Sequence, residues 1–230
     1  MILNDSEINN LEYKLASKID KRTYCQYYFS IIKTKHLIAF TFLPIRDYNS
    51  RSIKIAMFIF SFSLYLTVNA LFFSDSTMHQ IYEDGGDFNF IYQIPQILYS
   101  SLISGFINAI IKALALTEKN ILRIKQQKRK NKLQSLAKIM LRNIFYKTLF
   151  FFIISITLLF FYWYYLSCFC CIYKNTQMHL IKDSLISFSL SLIYPFGIYL
   201  IPGIFRISAL KTPKKGKEII YKFSRIIQNL

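Results

Sequence analysis

Acidic residues, histidines, cysteines and glycines are all scarce in this sequence of 230 residues. It contains 12 Asp and Glu against 29 Lys and Arg, with three His, four Cys and six Gly. The sequence has no glycine-rich phosphate loop, no nucleophile elbow and no intramembrane protease motif. These absences argue against nucleotide-binding and hydrolytic enzymes, and we predict a non-enzymatic protein without catalytic residues.

The few potential metal ligands are poorly arranged for a metal site. His79 and Glu83 are spaced i, i+4, but one such pair is a weak indication of a metal centre. The acidic stretch "EDGGD" at residues 83–87 lacks the ligand spacing of a calcium loop. His179 stands alone. The pattern therefore favours solvated loops, and we predict no metal, no cofactor and no small-molecule substrate.

Neither the cysteines nor the N-terminal segment shows the pattern of a secreted protein. Cys168, Cys170 and Cys171 cluster in one apolar stretch, Cys25 lies far from them, and no loop offers a disulfide partner. The first twenty residues, "MILNDSEINNLEYKLASKID", are polar and acidic and lack the apolar core of a cleavable signal peptide. The first apolar segment is expected to serve as the insertion signal.

Long uncharged intervals are what the sequence has in abundance. Hydrophobic residues make up 53% of the chain, and the mean hydropathy is +0.31. A helix needs about 20 apolar residues to cross a bilayer, and the sequence has four uncharged intervals of that length: Ile55–Ser74, Phe88–Ile111, Thr148–Tyr173 and Ser184–Phe205. It therefore predicts an all-α integral, multi-pass membrane protein with four transmembrane helices. Their predicted bounds are 53–74, 91–116, 148–173 and 184–205.

The positive charges predict the orientation of these spans. Nine Lys and Arg lie in residues 1–54, ten in 118–147 and seven after Phe205. Because cytoplasmic loops retain positive charge, we expect cytoplasmic segments at 1–52, 117–147 and 206–230, with both termini inside. The acidic loop 75–90 and the short loop 174–183 are then outside. This distribution also explains the net charge of +17, which in a soluble protein would suggest nucleic acid as a partner.

Two basic segments are amphipathic. In 117–147, Leu133, Leu136, Met140 and Ile144 recur at helical spacing, and the tail repeats the pattern with Ile219, Phe223, Ile226 and Leu230. Basic amphipathic helices suit an anionic inner leaflet. Flanking charge that only sets the topology is the alternative. The candidate membrane-surface residues are Lys128, Arg129, Lys130, Lys132, Lys214, Lys215 and Lys217.

Polar residues recur at helical spacing within three of the four predicted spans. They indicate faces where the helices pack, because interhelical hydrogen bonds and small residues hold membrane helices together. We predict a close helix contact at Gly105, whereas Phe151 is expected to face lipid or the inner interface. The predicted helix-packing seam consists of Ser61, Tyr65 and Asn69 in the first span, Ser101, Gly105, Asn108 and Lys112 in the second, and Ser184, Ser187 and Ser191 in the fourth.

A polar transport path is the alternative interpretation of these seams. Pro195 and Pro202 interrupt the fourth span, as prolines do in transporter binding sites, although kinked helices whose freed carbonyls bind neighbours are commoner. Ionisable residues inside the membrane would mark such a path. None is predicted within the spans, because Lys112 lies at an inner end from which it can snorkel.

Two stretches resemble receptor-like polycystins, in the membrane spans that follow their PLAT domain. The first is "KHLIAFTFLPIRDYNSRSIKIAMFIFSFSLYLTVNALFF". The second, "YWYYLSCFCCIYKNTQMHLIKDSLISFSLSLIYPFGIYLIPGIFRISAL", has an aromatic-rich span, a short loop and a serine-rich span with a central proline. The residues at matching places in the first stretch are Lys35, His36, Pro44, Ser50, Arg51, Asn69, Ala70 and either Phe72 or Phe73.

The resemblance implies a role as well as a topology. Polycystins carry a PLAT domain before this region and six channel-type helices after it, none of which these residues contain, so channel activity does not carry over. What it implies is a polycystin-like accessory or receptor-derived module that packs against other membrane helices, for instance of a cation channel complex. The alternatives are a small transporter or channel in its own right, and a structural subunit of a large membrane complex.

Overall fold

The computed structural model describes residues 3–87, 89–116, 121, 130–211 and 216–229, and all regular structure among them is helical. The chain divides into two compact units, one formed by residues up to Tyr48 with those from Leu192 on, the other by Asn49–Ser191. A 3₁₀ turn occupies Lys174–Thr176. The α-helices are α1 Asp5–Asn9, α2 Tyr13–Ile19, α3 Tyr24–Lys35, α4 Leu37–Phe42, α5 Arg51–Leu71, α6 Asp75–Glu83, α7 Phe90–Ala115, α8 Lys130–Ile172, α9 Gln177–Ile198, α10 Leu200–Lys211 and α11 Lys217–Asn229.

Four helical segments in the described part of the chain are long and apolar enough to cross a bilayer. They are Arg51–Leu71, Phe90–Ala115, Gln134–Ile172 and Lys174–Lys211, with mean hydropathies between 1.6 and 2.2. The prediction of an all-helical chain with four such helices is confirmed. The side of the membrane on which the termini lie stays a prediction.

The helix bounds differ from those predicted in the second half of the chain. Helix α8 begins at Lys130, so the end of the predicted cytoplasmic segment 117–147 belongs to the same helix as the third span. The predicted outer loop 174–183 is wrong from Gln177 onward, where α9 begins. Arg206 lies on α10 and is not part of a tail. In the sequence, Lys174 ends one uncharged interval and Asp183 precedes the next, but a charge does not end a helix.

Helix α5 is the centre of the unit Asn49–Ser191. Of its most apolar window 67% is buried, against 22% or less for the other three candidate spans. Phe60 and Leu64 of α5 pack with Ile111 of α7 and Phe151 of α8 in one apolar cluster. Phe151 is therefore fully buried, and the expectation that it faces lipid or the inner interface is wrong.

The other unit is organised around the side chain of Arg206, which has no exposed surface. Its Nε donates to Oδ2 of Asp20 at 3.0 Å, and its terminal nitrogens donate to the carbonyls of Asn9 and Ile8 at 3.0 and 2.7 Å. Its guanidinium lies 4.8 Å from the ring centroid of Tyr27 and 4.9 Å from that of Tyr221. One side chain thus joins α10 to the N-terminal helices and α11.

Asp20 remains a strong ion-pair partner despite its burial. Burial by itself raises the pKa of this carboxyl, but the hydrogen bond from Arg22 and the charges of Arg206 and Arg22 outweigh it and hold the pKa below its ordinary value. Arg22 donates to both carboxylate oxygens, at 2.8 and 3.0 Å. The buried negative charge of Asp20 is therefore compensated by two guanidinium groups.

Two tyrosines of α3 meet the backbone where α9 gives way to α10 at Tyr199. Pro202 has no N–H to donate to the carbonyl of Ile198, so one continuous helix is disfavoured there. The hydroxyls of Tyr24 and Tyr28 donate to the carbonyls of Leu200 and Phe196, both at 3.0 Å. A Cβ at Gly203 would lie 2.7 Å from the Tyr24 ring, so glycine is required for this approach. Tyrosine hydroxyls therefore bond the backbone on both sides of the interruption.

Replacing Arg206 with methionine should lower the free energy of unfolding by roughly 3–5 kcal/mol, because it removes one partner of a buried ion pair. We expect the loss to be seen in detergent micelles as a lower midpoint in a titration with a denaturing detergent. Lys222→Met is the matched control, since Lys222 forms an exposed pair with Glu218 and its removal should be nearly silent. Equal midpoints for the two variants would contradict the role of Arg206.

Candidate functional site: a buried polar cluster

Polar side chains from three apolar helices converge near one end of the unit Asn49–Ser191. We call Asn69 of α5, Gln96 and Ser100 of α7, and Asp183 and Ser187 of α9 the polar cluster. Gln96 is 9% exposed, and the other four side chains have no exposed surface. So many buried polar groups among apolar helices require internal hydrogen bonds.

Asn69 is the centre of the polar cluster. Its Oδ1 accepts from Oγ of Ser100 at 3.0 Å and from Oγ of Ser187 at 3.2 Å, and these two hydroxyls also lie 3.2 Å apart. Its Nδ2 donates to the carbonyl of Tyr65 at 2.8 Å. Gln96 donates through Nε2 to the carbonyl of Asn69 and to Oδ2 of Asp183, both at 3.4 Å. One asparagine therefore ties α5 to both α7 and α9.

The polar cluster lies close to the helix ends joined by the short connections around α6 and the 3₁₀ turn. Asn69 is two residues before the end of α5, and Gln96 and Asp183 are each six residues after the start of their helices. At a rise of about 1.5 Å per residue, the cluster is about 9 Å below these starts. By the charge distribution this is the end predicted to lie outside.

Asp183 is an ionisable residue buried inside the bundle near the start of α9, where none was expected. The predicted outer loop would have placed it in water, but α9 carries it into the bundle with no exposed surface. Among the described residues its one hydrogen bond is that from Gln96, and its buried Oδ1 has no partner there. No ion pair of Asp183 occurs among the described residues.

The predicted seam residues of α5 and α9 are buried at contacts between helices, with one exception. Ser61, Tyr65 and Asn69 are buried on α5, and the Tyr65 ring packs at right angles to Phe188 with centroids 5.5 Å apart. On α9, Ser184 and Ser187 are buried. Ser191 is half-buried and donates to the carbonyl of Phe188 on its own helix.

On α7 the predicted face is largely wrong. The buried polar residues are Gln93, Gln96, Ser100 and Ser104, of which the two serines lie one position before the predicted Ser101 and Gly105. Of the predicted set, Asn108 bonds a neighbouring helix, donating to Oγ of Ser61 at 2.9 Å. Ser101 and Lys112 are half-buried. No atom lies within 4 Å of a Cβ built at Gly105, so the predicted close contact there does not occur within the unit.

The candidate membrane-surface residues lie mainly outside the described side chains. Lys128, Arg129, Lys214 and Lys215 fall outside the described residues, and only the helical backbone of Lys130 and Lys132 is described. Lys217 starts α11 and donates from Nζ to the carbonyl of Ser208 at 2.9 Å. The structure therefore leaves the prediction of a basic membrane surface untested.

The reason for these misses is the choice of helical face. Gln93, Gln96 and Ser100 are spaced three and four apart, which is as regular as the predicted set beginning at Ser101. A signal that favours them is hydrogen-bonding capacity. Three glutamine and serine side chains on an apolar helix need more hydrogen-bond partners than one glycine does. Asp183 was missed because its position beside Lys182 is typical of a solvated loop.

The polar cluster supplies amides, hydroxyls and one carboxylate, a set suited to hydrogen bonding or to binding a cation through oxygen. His79 and Glu83 lie 3.1 Å apart on α6, but both are exposed. Within the described ranges, no group of three His, Cys, Asp or Glu side chains comes together as a metal site would require.

Replacing Asn69 with leucine should cost roughly 1–3 kcal/mol of stability in detergent, because it removes three side-chain hydrogen bonds worth about 0.6 kcal/mol each and at most about 2. Asn108→Leu is the matched control, since it removes one side-chain hydrogen bond of the same kind. Thermal unfolding of the two variants measures the difference. A loss at Asn108 as large as at Asn69 would show that Asn69 is not the centre of the polar cluster.

Only the contacts within the site itself give information about its chemistry, because comparison with known proteins found nothing similar. No family model, no curated protein and no solved structure matches this chain.

Proposed function

We propose that this chain is a non-enzymatic, four-span integral membrane protein that acts as an accessory module by packing against the helices of another membrane protein. Both termini lie inside in this proposal. The polar cluster holds α5, α7 and α9 together, and the outer surface of α7 binds the partner. The resemblance to polycystins would make a cation channel complex one such partner, and it rests on sequence pattern alone.

The observation that carries this proposal is a row of small residues on the uncovered side of α7. Ser101, Gly105, Ala109 and Ala113 follow one another at four-residue spacing, so they lie along one face of the helix. Both alanines are exposed, and the space beside Gly105 is open. Rows of small residues let helix backbones approach closely in membranes. The unit itself does not use this row.

Ser101 adds a polar argument to the shape of this row. Its Oγ is buried by its surroundings and has no hydrogen-bond partner among the described residues. In lipid an unsatisfied hydroxyl is unfavourable, and serine hydroxyls are groups that bond across helix pairs. Rotation about χ1 would bring this hydroxyl to the surface of the row, where a partner helix offers it an acceptor and lipid tails do not. The shape of the row and this hydroxyl then favour the same kind of partner.

Helix α11 supports the proposed inner membrane surface. It packs onto its own unit through a polar face: Tyr221 donates to the carbonyl of Leu11, and Ser224 donates to that of Pro202. Its apolar residues Ile219 and Ile226 are instead 73% and 61% exposed. An amphipathic helix that turns its apolar side outward, with Lys and Arg beside it, suits the surface of an anionic leaflet.

A small transporter in its own right is the second candidate. The observation that favours it is Asp183, because a buried carboxylate between membrane helices marks substrate or ion pathways more often than it serves packing alone. Purified chain in liposomes, without any partner, would have to move a solute for this candidate to hold.

The proposed orientation predicts which engineered cysteines are accessible from outside. In a variant whose four natural cysteines, all free, are replaced by serine, Ser76→Cys should react with a membrane-impermeant thiol reagent in intact cells. Gln134→Cys should react only after permeabilisation, because positively charged segments stay inside. Both positions are exposed. The reverse labelling would place both termini outside and remove the basis for the inner surface.

The proposed partner contact predicts that Gly105→Leu separates association from folding. A leucine side chain in the small-residue row blocks close approach of a partner helix, but it meets open space within the unit. We expect the variant to lose a stoichiometric multi-pass membrane protein during affinity purification in mild detergent, while its melting temperature stays that of the wild type.

The neighbouring substitution Phe106→Leu is the control, because Phe106 is 70% exposed and about 100° away around the same helix. It should keep the partner. If Gly105→Leu lowered the melting temperature, the row would pack within the chain, and if both variants kept the same partner, the contact would lie elsewhere.

A further inference from the structure

A cleft of about 340 Å³ is lined by α2 and α11 in the unit that contains the termini. The rings of Tyr13 and Tyr221, whose centroids are 5.5 Å apart, form part of its lining. Sites for small ligands commonly have volumes of ~300–1,000 Å³, so the cleft has room for a small polar group. Its other lining residues are all charged: Glu12 and Lys14 at the start of α2, and Glu218, Lys222 and Arg225 on α11.

Two of these five charges pair with each other. Nζ of Lys222 lies 2.9 Å from Oε1 of Glu218. The hydrogen bond from Lys222 lowers the pKa of Glu218, and the charges of Lys222 and Lys14 lower it further. The Glu218 carboxylate is therefore ionised at neutral pH. The influence of Lys14 on it also means that charges of α2 and α11 act on each other across the cleft.

The other three charges have no ion-pair partner within the part of the chain that the structure describes. Glu12 is the N-cap residue of α2, but its side chain makes no capping hydrogen bond. Glu12 and Lys14 are exposed, and Arg225 is half-buried. The cleft thus offers two positive charges and one negative charge to a ligand.

The complement of this set is a group with two negative charges and one positive charge. A phosphoserine headgroup has these charges, since its phosphodiester and its carboxylate are negative and its ammonium is positive. Lysine and arginine bind phosphate and carboxylate groups, and arginine does so with two parallel hydrogen bonds. A phosphoglycerol headgroup lacks the ammonium. A phosphocholine headgroup lacks the carboxylate, and its quaternary ammonium has no hydrogen to donate to Glu12.

The surface beside the cleft suits the acyl chains of a lipid that carries this headgroup. Lys222 is three residues after Ile219 and four before Ile226, so the charged flank of α11 borders an apolar stripe of Ile219, Phe223 and Ile226. All three apolar side chains are exposed. A soluble phosphoserine compound would leave this stripe in water, whereas a membrane lipid covers it. The stripe therefore favours a lipid over a free metabolite.

We propose that Glu12, Lys14 and Arg225 bind the headgroup of a phosphatidylserine molecule in the inner leaflet. The two cations take its phosphate and carboxylate, and Glu12 takes its ammonium. The choice of leaflet rests on the proposed function, which places both termini inside. The headgroup site itself is separate from the small-residue row of α7 and requires no partner protein.

Melting temperatures of the purified full chain in mixed micelles test this site. Phosphatidylserine, phosphatidylglycerol or phosphatidylcholine is added at equal mole fraction, at constant pH and ionic strength. A ligand at about ten times its dissociation constant raises the melting temperature of a chain of this size by roughly 3–6 °C. We expect that rise with phosphatidylserine, and less than half of it with either of the other lipids.

Two variants separate the parts of the headgroup. Glu12→Gln should respond nearly equally to phosphatidylserine and phosphatidylglycerol, because the ammonium has lost its partner. Arg225→Gln should need a several-fold higher mole fraction of phosphatidylserine for half of the rise. Lys138→Gln is the matched control, since it removes the same charge from an exposed position of α8, and it should respond like the wild type.

Three results would overturn the proposal: an equal rise with phosphatidylserine and phosphatidylglycerol in the wild type, a preference for phosphatidylserine that Glu12→Gln retains, or equal losses in Arg225→Gln and Lys138→Gln. Glycerophosphoserine, which has no acyl chains, should have little effect. A rise as large as that with the lipid would make the ligand a soluble compound and overturn the proposal as well. Reversed cysteine labelling together with a specific rise would instead reject the orientation and support the headgroup site.

Discussion

A polar group buried among apolar helices has to find its partner inside the protein, because lipid and apolar side chains offer none. This constraint decides how the helices of both units are arranged. Asn69 bonds serines from two other helices, Arg206 bonds a carboxylate and two carbonyls, and tyrosines of α3 bond the carbonyls around an interrupted helix. Apolar side chains fill the space around these contacts, but apolar packing alone does not determine which helix faces meet.

The two units meet the constraint with different chemistry. The unit that contains the termini buries charges and compensates them: Asp20 faces two arginines, and Arg206 lies against two aromatic rings. Such pairs require good geometry to offset the loss of hydration. Removing either partner leaves the other as an uncompensated buried charge. The unit Asn49–Ser191 uses amides and hydroxyls, which contribute less each but tolerate an apolar surrounding. Asp183 is the departure from this rule, and its incomplete compensation is why it carries a functional inference.

The surfaces left over by this internal bonding are the ones available for function. Helix α5 uses most of its surface inside its unit, whereas α7 uses only the side that carries Gln96 and Ser100. The opposite side of α7 keeps its row of small residues, and α11 keeps its apolar stripe. The interior of the chain is polar at selected points, whereas its outer surfaces carry small or apolar side chains. Such surfaces are suited to contact with other helices and with lipid. The proposed accessory role follows from that division.

Composition and hydropathy were enough to predict four long apolar helices, because a bilayer-spanning helix is a local property of about 20 residues. The burial of Asn69 was also predictable, since an amide in an apolar stretch needs a partner. Which face of α7 turns inward was not, because the sets beginning at Gln93 and at Ser101 have the same helical spacing. Only the packing of α7 against α5 and α9 separates them. Asp183 and Arg206 read as ordinary flanking charges in the sequence, and their burial is decided by partners far along the chain, Gln96 and Asp20. Long-range pairing of that kind leaves no local pattern, and so the tertiary structure alone reveals it.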